Sequence, residues 1–198
     1  MGNIYDYLDW RGDLTFNQDD FNEVDNLVLS VLCYNDFSGI VPAAGESGHI
    51  LLKDAALRFK ETKKTEHLKD LPFLKDIPVF LEKAAATKRF GELKLSGYVD
   101  QVDIERVKQF SAMVFTIFDD LHFTAFRGTD DSIAGWKEDL QMSFKDEVHS
   151  QREAVKYTKW VMENYSGEFY LGGHSKGGNL AVYASANMEG AYRESIIE

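Results

Sequence analysis

The sequence predicts a mixed α/β fold, a sheet flanked by helices with a mostly helical region over residues 1–90. Three observations carry that expectation. Before residue 90 the apolar residues recur at helical spacing. After Gly91 they switch to strand-like alternation, then to a run that is apolar on both faces. Toward the C-terminus a helix, a short strand, a sharp glycine-rich turn and a second helix succeed one another, an order that packs helices on a sheet.

Val24, Leu27, Val28, Val31 and Leu32, with Phe21 ahead of them, form one apolar helical face, and Asp19 and Asp20 offer N-caps for it. Pro42, between Gly39 and Gly45, closes that element into a loop. Leu51, Leu52, Ala55, Ala56 and Phe59 line a second helix. Pro72 and Pro78 punctuate the next stretch, and residues 79–89 are strong helix formers. Residues 93–103 alternate like a strand, with Leu93, Leu95, Tyr98 and Val102 as the apolar members. Residues 110–118 read as a central strand covered on both sides. Asp119-Asp120 is a tight turn into a hairpin partner at 121–126. A helix over 150–164 turns Ala154, Val155, Trp160, Val161 and Tyr165 inward and stops at Ser166-Gly167. A strand at 168–172 and an alanine-rich helix at 180–188 complete the pattern. The length suits one domain with a substantial core, and one is expected over 1–198.

Charge and composition exclude several classes. A formal net charge of −11 opposes binding to nucleic acid and to anionic membrane surfaces. Basic residues concentrate between Lys53 and Lys94, read as a solvated Lys-rich helical face rather than a docking arm. No apolar run approaches the ~18 residues needed to span a bilayer, so stable membrane insertion is not expected. The N-terminus lacks a signal-peptide layout. The single cysteine, Cys33, sits among apolar neighbours and reads as a buried thiol. The expected location is cytoplasmic.

Chemistry concentrates in Gly173-His174-Ser175-Lys176-Gly177. This Gly-x-Ser-x-Gly pattern is weak alone, but here a strand enters it and a helix leaves it, the setting of a nucleophile elbow. Gly173, Gly177 and Gly178 let neighbouring backbone come close where a Cβ would clash. The cluster Gly45-Glu46-Ser47-Gly48 lacks that setting and reads as a loop. Ser175 is the candidate nucleophile. The first N–H groups and positive dipole end of the helix after it face the serine oxygen, so the N–H of Lys176 can stabilise an oxyanion. A Ser-Lys dyad is disfavoured, because adjacent residues on an elbow point apart.

A second motif is Phe126-Arg127-Gly128-Thr129, with Trp136-Lys137-Glu138-Asp139 after it. An apolar strand ending in that Phe-Arg-Gly-Thr, a Trp-x-x-Asp shortly after, and Gly-His-Ser-Lys-Gly-Gly at 173–178 together resemble the class 3 (fungal-type) lipase group of α/β-hydrolases. The run at 25–42 resembles the opening of a bacterial branch of that group. The resemblance covers nearly the whole chain, with 45–90 the least diagnostic part and the place to look for a lid. It implies that Thr129 supplies a second oxyanion donor through its backbone N–H and hydroxyl. It also implies that Asp139 holds that hydroxyl, although the spacing between the two is one residue longer than usual. The group commonly has an apolar residue where Lys176 stands. The alternative is that Arg127 and Asp139 form a structural ion pair and Thr129 is an ordinary turn residue.

In α/β-hydrolases the triad acid and histidine come after the serine in the chain. The five histidines, His49, His67, His122, His149 and His174, all precede Ser175. His174 occupies the variable elbow position and reads as a packed, hydrogen-bonded residue. The expectation is therefore a chain that stops short of the rest of its fold, with 195–198 opening a further strand and the acid and base lying beyond. An unpaired edge beside the nucleophile strand would favour self-association. The function expected is a serine hydrolase of the esterase or lipase type, acting on a small-molecule or lipid-like acyl ester without a cofactor. Its rival is a catalytically inactive hydrolase-fold binding or scaffold protein. A metal site is not expected, since the histidines lack ligand spacing.

Overall fold

The computed structural model describes residues 2–62, 76–130 and 132–197. Four helices dominate the N-terminal part: α1 (Ile4–Arg11), α2 (Glu23–Leu32), α3 (Leu52–Glu61) and α4 (Ile77–Ala85). Asn3 caps α1, accepting from the N–H groups of Tyr5 and Asp6, while the Asp6 carboxylate accepts from the Asn3 N–H. The N-cap of α2 is Asn22, not Asp19 or Asp20. Asn22 accepts from the Val24 and Asp25 amides, and Asp25 accepts from the Asn22 N–H, a reciprocal capping box. Leu51 belongs to the two-residue strand β1 (Ile50–Leu51) rather than to α3. Pro78 lies in the first turn of α4, where its missing N–H costs nothing. Pro72, His67 and part of the Lys-rich stretch lie outside the described residues.

Four more strands complete the sheet: β2 (Lys94–Asp103), β3 (Lys108–Phe118), β4 (Leu121–Phe126) and β5 (Glu168–Gly173). Its order is β1-β2-β3-β4-β5, antiparallel throughout except between β4 and β5. That single parallel pair is connected through α5 (Ile133–Met142) and α6 (His149–Asn164). α7 (Lys176–Ala186) leaves β5, and a short α8 (Ala191–Glu194) brings the chain back. Phe169 then pairs in parallel with Ile196, so residues 195–197 run along the outer side of β5 as a strand would.

The alternation along β3 sorts the core into two layers. Met113 and Phe115 join Phe123 and Ala125 of β4 against Leu29, Leu32, Phe37, Leu52, Phe59, Phe80 and Leu81 of the N-terminal part. Phe110, Ala112 and Val114 join Phe126 against Ala154, Tyr157, Val161, Leu180 and Ala184 of α6 and α7. Both faces are therefore covered, as a strand apolar on both sides requires. Each fully buried Phe contributes about 2–3 kcal/mol, and both layers are rich in them. Val102 departs from expectation: it is exposed, because the β2–β3 ribbon projects past the helices at 101–103.

Arg89 also departs. It does not join a solvated face but is fully buried. Its Nε and Nη2 donate to the two Asp25 oxygens, and its remaining N–H groups reach the carbonyls of Leu14, Asp19 and Asp20. The ring of Phe16 lies 4.2 Å from the guanidinium carbon. One side chain thus ties 14–20 onto α2. Cys33, at the end of α2, is fully buried, and burial pushes its thiol up to about 12.

Candidate active site

β4 and β5 deliver their carboxyl ends side by side. Their register pairs Phe126 with Gly173, so Arg127-Gly128-Thr129 and His174-Ser175-Lys176 leave the sheet as neighbours. Crevices at the carboxyl ends of parallel strands are where such sheets bind ligands.

The elbow itself is strained. Ser175 has φ +58° and ψ −124°, a conformation that a side chain rarely adopts. The residue is exposed at the start of α7. α7 begins immediately, at Lys176, earlier than the alanine-rich run suggests, and its first N–H groups have no intrahelical partner. The glycines permit the crowding: a Cβ on Gly177 would lie 2.1 Å from the Phe126 carbonyl oxygen, and one on Gly173 would lie 2.4 Å from the Gly177 backbone. Gly178 approaches the Gly173 carbonyl in the same way. The bend of the elbow and its closeness to β4 thus have one cause.

The β4 side is held by Arg127. Its backbone N–H donates to the Ser111 carbonyl, and its guanidinium makes a bidentate pair with Asp100 on β2 at 2.8 and 3.0 Å, with Asp130 at 3.1 Å. Burial opposes its charge, but Asp100 and its other neighbours raise its affinity for the proton. Arg127 therefore does not pair with Asp139. The Asp139 carboxylate instead accepts a hydrogen bond from the Thr129 hydroxyl. Gly128 leaves room for two groups: a Cβ there would lie 2.0 Å from the Tyr34 hydroxyl and 2.5 Å from the His174 carbonyl. That Tyr34 hydroxyl lies 3.2 Å from His174 Nδ1.

The most buried group of the site lies outside what the motifs indicate. The Lys176 side chain does not reach solvent. Its Nζ donates to the Gln109 carbonyl at 2.8 Å, to Gln109 Oε1 at 2.9 Å and to Glu138 Oε2 at 2.8 Å. Glu138 is fully buried and also accepts from the N–H groups of Gln109 and Ser150. The carboxylate offsets a lysine placed at the positive end of α7. In the sequence Glu138 is only the x beside Asp139, and Gln109 carries no local signal at all. α5, which holds both acids, is a helix absent from the sequence expectation, although Ile133, Trp136 and Leu140 stand at helical spacing. Those three side chains are exposed.

Among the described residues, no side chain hydrogen-bonds the Ser175 hydroxyl. His122 packs in the sheet between Thr116 and the Ser166 carbonyl, and burial lowers its affinity for a proton. His49 lies in a loop, His149 at the first position of α6, and His174 beside Tyr34.

Among the described residues, no helix is long and apolar enough to cross a membrane. No curated protein and no solved structure matches the chain. The Mbeg1-like family model matches residues 84–198, which span β2 to β5 and hold both the Thr129 and the Ser175 motifs. The chain therefore belongs to the Mbeg1-like family, a family related to the class 3 lipase-like α/β-hydrolases.

Proposed function

We propose that this protein contributes the nucleophile and oxyanion hole of a serine hydrolase that acts on an acyl ester. The observation that carries the reading is the strained, exposed Ser175 between β5 and α7, next to Thr129 with its hydroxyl held by Asp139. In this reading Ser175 Oγ attacks the ester carbonyl carbon and forms a tetrahedral intermediate. The N–H groups of Lys176 and Thr129 stabilise its oxyanion, each donor of this kind contributing on the order of 10²–10³ in rate. Collapse of the intermediate expels the alcohol and leaves an acyl-serine, which water then cleaves. A general base must take the Ser175 proton, and the contacts of His122 and His174 speak against those two. The apolar side of α5, exposing Ile133, Trp136 and Leu140 on the helix next to Thr129, favours an apolar acyl chain or a lipid-like substrate.

A fluorophosphonate probe and short p-nitrophenyl esters test the reading. The wild type should label and turn over, and Ser175→Ala should do neither while keeping its melting temperature. Equal labelling of both proteins would refute a nucleophilic Ser175. The second reading, a hydrolase-fold binding protein without turnover, draws on the lack of a side chain hydrogen-bonded to the Ser175 hydroxyl among the described residues. It would be supported by a folded wild type that neither labels nor turns over.

A further inference from the structure

Behind the two oxyanion donors runs a continuous chain of buried polar groups. Lys176 gives its backbone N–H to one side of the site and sends its side chain to the other, where Nζ holds Gln109 Oε1 at 2.9 Å. With that oxygen occupied, the Gln109 amide turns its nitrogen the other way, and Nε2 donates to the Gly128 carbonyl at 3.4 Å. Gly128 O belongs to the same peptide unit as the Thr129 N–H. A trans peptide is planar, with its C=O and N–H pointing in opposite directions. A donor on the carbonyl side therefore sets where the N–H points, and it also polarises the unit. Gln109 is itself fixed at both ends: its N–H donates to Glu138 and its carbonyl accepts from Lys176. Gln109 and Glu138 are fully buried and Lys176 nearly so.

We infer that Gln109 is a positioning residue that orients the Gly128–Thr129 peptide, so that the Thr129 N–H meets the oxyanion in step with the N–H of Lys176. The inference rests on the hydrolase reading for its effect on rate, but not for its effect on the peptide. The contact is long, at 3.4 Å. Lys176 holds the side-chain amide in the one orientation that offers its nitrogen to Gly128, and Glu138 holds the Gln109 backbone from which it projects.

The test compares wild type, Ser175→Ala, Gln109→Leu and Gln109→Met. Gln109→Met keeps the unbranched length of the side chain while removing the donor to Gly128, and it stands in for Gln109→Leu if that variant does not fold. The measurements are kcat and KM on a short p-nitrophenyl ester, and the amide proton shift of Thr129 by NMR. Both Gln109 variants should lower kcat about tenfold, the size of one hydrogen bond, leave KM unchanged and move the Thr129 amide resonance upfield. A merely structural Gln109 would lower the melting temperature without moving that split or that resonance. An unmoved Thr129 resonance overturns the inference, as does unchanged kcat in variants of an active wild type. If the resonance moves while the wild type and Ser175→Ala are equally inert, the positioning stands and the hydrolase reading is what fails.

Discussion

Arg89 and Lys176 are both cations buried against a carboxylate, yet they serve different ends. Arg89 directs its donors to Asp25 and to three carbonyls between residues 14 and 20, and it packs on Phe16. Everything it touches belongs to the N-terminal layer, far along the chain from the elbow. Lys176 has three donors, and they end on Gln109 and Glu138, each one step from Thr129 or its support. Desolvation costs both ions several kcal/mol, and each recovers it only through full pairing. What differs is where the backbone groups they fix lead. In one case they lead to a loop closed onto a helix, in the other to the Gly128–Thr129 peptide beside the elbow. The planar fork of arginine suits the first task, and the compact ammonium of lysine suits a site with three converging acceptors.

The contrast can be broken by separating stability from rate. Arg89→Met should cost about 3–5 kcal/mol of unfolding free energy, because it leaves Asp25 buried without its partner. Urea titration measures that loss. Fluorophosphonate labelling per folded molecule should not change, and a slowed rate would mean the two regions are coupled after all.

Thr129→Val should do the reverse. It keeps the backbone donor and the volume, loses the hydroxyl that ties the residue to Asp139, and should slow labelling about tenfold, the size of one positioning hydrogen bond. The melting temperature should fall less than in Arg89→Met, because the Asp139 carboxylate loses its partner but the residue is only partly buried. A large thermal loss with unaltered rate would make Thr129 an ordinary turn residue.

Ser175→Gly relieves the backbone at φ +58°. Set against the greater chain entropy of glycine, the net gain should be about 1 kcal/mol, readable as a raised melting temperature in a protein that no longer labels. No gain would mean that the elbow carries no strain.

The smallest expected effect concerns alkaline pH. Burial raises Cys33 to about 12 in the folded chain, against an ordinary value of 9.0. The native state thus binds more protons than the unfolded state between those values. The thiol's contribution is present below pH 9 and falls as pH rises toward 12. By about pH 10, Cys33→Ala should recover roughly 1 kcal/mol relative to wild type. Tyr34, Tyr98 and Tyr157, all raised by burial, keep the remaining slope from vanishing.

Elements whose signal is local are legible in the sequence. The switch of period after Gly91, the two-faced β3 and the turn at Asp119-Asp120 need no tertiary knowledge. The cap of α2 is also within reach, since Asn22 and Asp25 stand at the spacing of a capping box; two aspartates just upstream offer a competing choice. Arg89 cannot be placed from sequence, because its partner is 64 residues away and its neighbours include a lysine and a helix end. The motifs locate Ser175 and Thr129. They say nothing of Gln109 or Glu138, whose role exists only once β3, α5 and α7 converge. In α5, Ile133, Trp136 and Leu140 do stand at helical spacing, but three positions around Gly135 are a weak signal, and the spacing does not tell that this side faces water.

The single parallel pair has a consequence for how this chain can vary. Six residue pairs, from Leu121 with Glu168 to Phe126 with Gly173, align the two strand ends that carry Thr129 and Ser175. A one-residue slip along β4 would exchange its two faces and draw Thr129 away from the elbow, with no change in composition. A conservative substitution along these strands, the crowded glycines of β5 apart, therefore keeps the alignment where a single insertion or deletion does not, and the length of β4 sets where Thr129 meets the elbow.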